Sequence, residues 1–285
     1  MKPLTQQQIA QLFDAAGAII TGDHFVYAKK ADGWYHGDCY VNKDALYPNS
    51  EIIGRLCYNI YDHFLLQSIE VVIGPTVGGV SLSQWVAHWF NEHLKIFTGL
   101  RSEGKEIMIA DEKPVFSVYA DEEDILEDRE IQIVDPGQIN LANVVGNINL
   151  NLDLARSGVY FDRLKLVYKE KVGTRRILKR GYDKIVAGKK CLVVEDIINS
   201  GATVKKTVEA IKLAGGEVVG VGDLCNRSGG KVTAQTLGVP ELYSLLDLEM
   251  KMEREENCSI CQAKGVQSVR TDIGKGKEFL ARIGK

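Results

Sequence analysis

The sequence has no hydrophobic run long enough to cross a lipid bilayer and no strong excess of charge of either sign. Its apolar stretches fall well short of the roughly 20 residues that a transmembrane helix needs, and the net charge of the 285 residues is −3. A chain so close to neutrality lacks the basic surplus that favours general binding to nucleic acid or acidic membranes. We therefore expect neither a nucleic-acid partner nor a membrane partner.

Cysteine is also scarce, with six residues in the chain. This density is far below that of a disulfide scaffold and indicates reduced thiols. Residues 1–8 include no apolar segment of the kind that a secretory signal contains, so we expect a cytoplasmic location. Cys258 and Cys261 form a single C-x-x-C pair. A zinc site needs four ligands, which Cys225 or a dimer partner could complete, but plain thiols are the favoured interpretation.

What the chain does contain is an alternation of apolar strand-like runs and amphipathic helical segments. Thr5 and Gln8 form a capping box that predicts an N-terminal helix. Later, the runs 71–73 and 191–194 are each followed by a loop of small residues and a helical stretch. Such alternation predicts an α/β fold with a largely parallel sheet. We expect an N-terminal region over 1–50, a core over 51–250 and a C-terminal extension over 251–285. The core is interrupted by an insertion around 97–165. Within this insertion, residues 139–161 indicate short strands or a hairpin.

The clearest chemical signal follows the strand at 191–194. Two acids, Glu195 and Asp196, come next, and small and hydroxyl residues then lead through Gly201 and Thr203 into a helix. Amide groups at a helix N-terminus bind phosphate, and glycine lets the backbone approach it. Two carboxylates would repel that phosphate unless they faced sugar hydroxyls or hydrated Mg²⁺. The segment therefore predicts a ligand with a phosphate at one end and a diol in its middle.

This segment closely resembles the phosphoribosyl pyrophosphate (PRPP) motif of type I phosphoribosyltransferases. The resemblance implies that family's α/β fold, a central and mostly parallel sheet flanked by helices, with a small N-terminal hood within residues 1–50. It implies that Glu195 and Asp196 hold the ribose 2′- and 3′-hydroxyls and act as catalytic residues. The same resemblance implies that the 5′-phosphate lies in a cradle formed by Ile197, Ile198, Asn199, Ser200, Gly201, Ala202 and Thr203.

A second segment, between the strand at 71–73 and the next helix, is similar to the pyrophosphate loop of the same family. In that family the backbone N–H groups of this loop meet the leaving group. The segment precedes the PRPP motif, as it does in the family, and consists of Gly74, Pro75, Thr76, Val77, Gly78 and Gly79.

The flanking sequence resembles the orotate phosphoribosyltransferase branch. Residues 24–27 and 33–47 are similar to the hood that covers the base, and they make His36 and Lys43 candidate base-contacting residues. Residues 180–185 also resemble members of this branch. The resemblance implies transfer of a phosphoribosyl group from PRPP to a nitrogenous base, most readily orotate, with release of pyrophosphate. It also implies Mg²⁺ as cofactor, without direct protein ligands, and a homodimer.

The chain departs from that branch in one segment. Orotate enzymes carry a mobile loop in which a Lys-Glu pair is followed by a Lys-Asp-His run, whereas no such run follows residues 168–171 here. Lys171 is the nearest candidate for a catalytic cation that neutralises pyrophosphate. The cations that could assist it are Arg175, Arg176, Lys179 and Arg180.

Two alternatives from other classes stay open on the sequence. One is a regulator that binds PRPP without catalysis, which the missing Lys-Asp-His run favours and the lack of a basic DNA-binding segment opposes. The other is a PRPP synthetase, which has a similar acidic loop but needs ATP. The N-terminal hood argues against a synthetase, so the transferase ranks first.

Overall fold

A computed structural model describes residues 1–27, 29, 33–102, 114–133 and 164–284, with side chains omitted at 93–102, 126–133 and 164–172. The predicted strands or hairpin at 139–161 lie outside these residues. The chain divides into two compact units. One comprises Met1–Asp121 with Arg176–Lys285, and the other comprises Glu122–Arg175.

The second unit begins and ends later than the interruption that we expect around 97–165. Residues 116–120 pair in parallel with the strand at 71–75 and therefore belong to the central sheet. Residues up to 102 continue the helix that precedes them. The acidic stretch after residue 120 lies in an extended strand.

Nine strands lie within the described residues and form two sheets. They are β1 Ile19–Val26, β2 Tyr35–Val41, β3 Val71–Pro75, β4 Phe116–Ile133, β5 Leu164–Ile177, β6 Lys190–Ile198, β7 Glu217–Asn226, β8 Leu242–Ser244 and β9 Glu253–Arg254. In the larger sheet the order is β5-β4-β3-β6-β7-β8. The pairs β3–β4, β3–β6, β6–β7 and β7–β8 are all parallel. The predicted mostly parallel sheet is confirmed.

The helices follow the strands as expected for an α/β fold. They are α1 Gln6–Ala15, α2 Ser50–Phe64, α3 Gly78–Ser102, α4 Tyr182–Val186, α5 Ala202–Leu213, α6 Ala234–Leu237, α7 Ser259–Lys264 and α8 Gly276–Arg282. The predicted capping box at the start of α1 is present, with Thr5 and Gln8 bonding to each other's backbone N–H groups.

The central strands β3 and β6 are buried on both faces. Alternate residues of a strand point to opposite faces. Accordingly Val72 and Leu192 pack in one hydrophobic cluster with α2 and α3, whereas Ile73 and Val193 pack in a second cluster with α5. Burial on both sides explains the continuous apolar runs in the sequence.

The smaller sheet forms the hood. Its order is β1-β2-β9, and both pairs are antiparallel. Beneath it lies a small apolar cluster of Val26, Val269 and Phe279. Among the helices whose residues are described, none combines the length and the apolar character that crossing a membrane would require.

Candidate functional site

The two acids of the motif lie at the carboxyl end of β6, between β3 and β7. Glu195 and Asp196 are each only 6% exposed. After the strand ends at Ile198, three residues lead into α5, and Gly201 at the N-cap has φ of +73°. A Cβ on Gly201 would lie 2.9 Å from the Leu237 side chain. Glycine is therefore required here both by the backbone conformation and by the space available.

Asp196 meets the hood. Its Oδ2 atom lies 2.6 Å from Lys43 Nζ. The Tyr47 hydroxyl lies 3.1 Å from the same oxygen and 3.0 Å from the Gly78 carbonyl oxygen, so its single proton can be donated to either. Lys43 belongs to a short 3₁₀ helix, Lys43–Ala45, just after β2. Residues distant in sequence thus converge on one carboxylate.

Burial and charge shape the ionisation of this group of side chains. Burial raises the pKa of Glu195 well above its usual value, and the neighbouring Asp196 charge adds to the rise. Burial lowers the pKa of Lys43, but the Asp196 hydrogen bond and charge outweigh it and raise this pKa overall. Lys43 therefore stays charged and partly neutralises the acidic pair, which weakens its repulsion of an anionic ligand.

Of the six residues predicted to form the pyrophosphate loop, only Thr76 and Val77 lie outside a strand or helix. Gly74 and Pro75 complete β3, and α3 already begins at Gly78. The peptide bond between Thr76 and Val77 is cis. A Cβ on Gly78 would overlap the Asp196 carboxylate, and one on Gly74 would overlap the Gly79 carbonyl group. The two glycine-dependent segments that the sequence singles out therefore meet at Asp196.

One of the candidate cations lies beside this loop. Arg176 is 8% exposed, and its Nη1 donates to Thr76 Oγ1 at 2.8 Å. Arg175 instead pairs with Glu123 on the exposed surface. Arg180 donates to the Tyr119 hydroxyl. Lys171 lies in β5, but its side chain is outside the described atoms.

A cleft of about 230 Å³ opens beside Asp196. Two residues here are absent from our sequence-based site, Tyr47 at Asp196 and Arg227 on the cleft wall. Tyr47 lies within the hood segment that resembles the orotate branch. Arg227 follows the carboxyl end of the parallel strand β7, and this position was the available signal for it. The cleft is lined by Tyr40, Val41, Asn42, Lys43, Asp44, Asp196, Ile197, Asn199 and Arg227.

His36 lies in the hood but is not among the residues that line this cleft. It is fully buried, with Nδ1 3.1 Å from His24 Nε2 and 3.4 Å from Cys261 Sγ. Burial lowers the pKa of His36 to about 4, and it lowers the pKa of His24 as well. The structure thus brings the C-x-x-C pair to two histidines, whereas Cys225 is buried in β7.

Comparison with known proteins shows which family this chain belongs to. The model of the phosphoribosyl transferase domain matches residues 154–236. The orotate phosphoribosyltransferase of Caldicellulosiruptor saccharolyticus is 32% identical over 274 residues, which cover 96% of this chain and 100% of that relative. The chain belongs to the orotate phosphoribosyltransferase family. The enzyme of Caldicellulosiruptor bescii with the same name is 28% identical over 260 residues, or 91% of this chain and 93% of the relative.

Among solved structures, the Mycobacterium tuberculosis orotate phosphoribosyltransferase in complex with inorganic phosphate has a TM-score of 0.45 and 15% identity, with coverage of 85% of this chain and 96% of that one. The family assignment depends on the sequence relatives. As a phosphoribosyltransferase, the protein transfers a phosphoribosyl group from PRPP to a nitrogenous base and releases pyrophosphate. The predicted fold class and reaction are confirmed.

Proposed function

We propose that this phosphoribosyltransferase uses orotate as its base and acts as a homodimer in the cytoplasm, in pyrimidine biosynthesis. The observation that carries the proposal is the convergence of Lys43 from the hood and Gly78 from the predicted pyrophosphate loop on Asp196 of the PRPP motif. The names of the full-length relatives support orotate as the base. The free thiols among the described cysteines are consistent with a reducing compartment.

In this proposal Glu195 and Asp196 bind the ribose hydroxyls of PRPP. Their position at the carboxyl end of a central parallel strand is where ligands of open α/β sheets bind. The 5′-phosphate occupies the turn Ile197–Thr203, where the first amides of α5 have no partner within the helix. The positive end of the helix dipole attracts the phosphate there.

Departure of pyrophosphate is the electrostatic problem of the reaction. As the C1–O bond breaks, positive charge develops on the ribose and negative charge on the leaving group, as in other glycosyl transfers. We assign the amides of Gly74–Gly79 to the pyrophosphate, with Arg176 next to Thr76 as the nearest described cation. Lys171 is the second cation that the sequence predicts for this role. A ring nitrogen of the base then forms the new bond to C1 and releases its proton to solvent.

Mg²⁺ fits the site as a hydrated ion bound together with PRPP. Carboxylate oxygens suit this ion, but Asp196 already accepts a hydrogen bond from Lys43, so direct ligation by Asp196 is not needed. Glu195 and Asp196 would hold the hydrated ion through water. When bound, Mg²⁺ supplies counter-charge for the pyrophosphate.

Lys43 has a further role in the proposal. When the ribose hydroxyls bind to Asp196, they replace the Lys43 ammonium as its hydrogen-bonding partner. The released ammonium lies on the wall of the cleft and is then available to the carboxylate of orotate. Preference for an anionic base follows from this exchange, because a neutral base offers Lys43 no counter-charge.

The test is calorimetric titration of PRPP with Mg²⁺, followed by orotate and by neutral bases in the same cell. We expect heat when PRPP binds. We expect pyrophosphate release when orotate is then added and none when a neutral base is added. Binding without turnover on any base would instead indicate a PRPP-binding regulator, and a requirement for ATP would indicate a synthetase. Absence of PRPP binding would refute the site at Glu195–Thr203. Light scattering of the same sample measures the molar mass, and we expect the mass of a dimer.

A further inference from the structure

Four side chains with metal-ligating atoms converge inside the hood, apart from the residues that line the cleft. His24 lies on β1 and His36 on β2, while Cys258 caps α7 and Cys261 lies in its first turn. Their ligand atoms all lie within 4.8 Å of one another. Three of the four residues are buried. The mechanism proposed above assigns no role to any of them.

Four of the six distances between these atoms are close to the edges of a zinc tetrahedron. Bonds of about 2.0–2.1 Å to nitrogen and about 2.3 Å to sulfur give edges of about 3.3 Å between two nitrogens and about 3.6 Å between nitrogen and sulfur. His24 Nε2 lies 3.1 Å from His36 Nδ1. It lies 3.5 Å from Cys258 Sγ and 3.7 Å from Cys261 Sγ. His36 Nδ1 lies 3.4 Å from Cys261 Sγ.

The hydrogen bonds around His24 select the tautomer that a metal ligand needs. The Ser268 hydroxyl donates to the Gly265 carbonyl oxygen at 2.6 Å. Its oxygen therefore accepts from His24 Nδ1, which lies 2.7 Å away. With the proton on Nδ1, the lone pair of Nε2 points into the cluster. A ligating histidine in proteins usually donates its second nitrogen in this way.

The C-x-x-C segment is arranged in a compatible manner. The Cys261 backbone N–H donates to Cys258 Sγ at 3.3 Å, an interaction that holds this sulfur beside the other ligand atoms. Two thiolates and two neutral imidazoles around Zn²⁺ have no net charge. A neutral complex avoids the large cost of burying an isolated ion. Mixed nitrogen and sulfur ligands in tetrahedral arrangement are typical of zinc.

The apolar contact between the β1–β2 hairpin and the C-terminal extension is small. The cluster that joins them contains three buried residues among those described, Val26, Val269 and Phe279, and β9 comprises just two residues. Contacts with so little core are commonly stabilised by a metal or by disulfides. We propose that His24, His36, Cys258 and Cys261 bind one structural zinc ion, which joins the β1–β2 hairpin to the C-terminal extension. Binding releases the two thiol protons and the water ligands of the ion to solvent, while two Zn–S and two Zn–N bonds form.

Metal analysis of the purified full-length protein tests this proposal. We expect about one zinc per chain and a loss of nearly all of it in Cys261→Ser. Cys39→Ser is the matched control, because this thiol lies on β2 but outside the cluster, and this variant should keep its zinc. Circular dichroism of each variant verifies that the fold is retained. Iron in place of zinc, or equal zinc content in wild type and Cys261→Ser, would overturn the proposal.

A milder variant and a spectroscopic probe make the test independent of folding. Ser268→Ala removes the partner of His24 Nδ1 without touching a ligand, and we expect zinc affinity to fall by about 10–100-fold. Cobalt added to chelator-treated wild type should produce the intense visible bands of a tetrahedral site with thiolate ligands. A disulfide between Cys258 and Cys261, found by counting thiols in freshly prepared protein, or an octahedral cobalt spectrum would count decisively against zinc.

Discussion

Lys43 Nζ lies 2.6 Å from Asp196 Oδ2, although the two residues are 153 positions apart in the chain. Lys43 comes from the hood and Asp196 from the end of the central strand β6. The ion pair therefore joins the element that we assign to the base with the element that we assign to PRPP. The predictions below concern this pair and its surroundings.

Replacing Lys43 by methionine should impair binding of the base more than binding of PRPP. The change keeps the aliphatic stem but leaves Asp196 without its counter-charge. Because the Lys43 side chain is 35% exposed, we expect a stability loss of only about 1 kcal/mol and a rise in KM for orotate. Steady-state kinetics and urea unfolding measure the two effects. Lys184→Met, at an exposed site on α4, should change neither quantity, and an unaltered KM for orotate in Lys43→Met would contradict the assigned role.

Asp196→Asn should abolish most of the turnover and leave the fold intact. The substitution preserves size but removes the charged acceptor of the ribose hydroxyls. Loss of one hydrogen bond to a charged group corresponds to about 1.5–3 kcal/mol, or roughly 10–150-fold in kcat/KM. The measurement is pyrophosphate release at varied PRPP. Asp14→Asn, on the exposed face of α1, serves as control, and wild-type turnover in Asp196→Asn would show that the ribose-binding assignment is wrong.

Gly78→Ala should lower activity because a methyl group at this position overlaps the Asp196 carboxylate. Either Asp196 or the start of α3 must then move. A displacement of about 1 Å near a reacting group can reduce the rate by about 100-fold. The comparison is Gly215→Ala after α5, where φ is +79° but no atom lies near the added methyl.

Gly215→Ala should reduce stability by about 1–2 kcal/mol through backbone strain and leave kcat/KM unchanged. Thermal unfolding and kinetics of both variants separate the two effects. Equal activity in Gly78→Ala and Gly215→Ala would mean that the close approach of Gly78 to Asp196 is not needed for the reaction.

Asp223 should make the protein less stable as the pH rises. It lies on β7 opposite Glu195, and burial raises its pKa well above the usual value, with a contribution from Asp247. Ser244 Oγ donates to Oδ2 at 2.7 Å, which opposes the rise. The neutral form is favoured in the fold, so its stabilisation is complete below the unfolded pKa of about 4. That contribution is lost as the pH increases towards the folded pKa.

Asp223→Asn removes this titration and keeps an acceptor for Ser244. The free energy of unfolding of the variant, relative to that of wild type, should increase as the pH rises above the unfolded pKa of about 4. Urea unfolding at several pH values measures the difference. A difference that stays constant with pH would show that Asp223 does not titrate in this range.

The local pattern of residues was sufficient for much of the fold and for part of the site. Apolar runs followed by small residues and helical periodicity predict β3, β6 and the helices after them, because these signals act over a few neighbouring residues. The acids after β6 and Gly201 before α5 follow from the same local signals. The six-residue loop at 74–79 was predicted too long, since backbone pairing, which sequence alone does not reveal, extends β3 to Pro75.

Side-chain convergence depended on the packing of distant elements. No local pattern indicates that Lys43 contacts Asp196, or that His24 lies beside Cys258, 234 positions later. The C-x-x-C pair shows only half of a metal site, and its partners come from a hairpin near the other end of the chain. Local propensity reflects interactions between near neighbours, whereas these contacts form only after the hood has packed against the C-terminal extension and the end of β6. For that reason the ligand class could be inferred from the sequence, but the charge balance at Asp196 and the proposed zinc ligands required the three-dimensional arrangement.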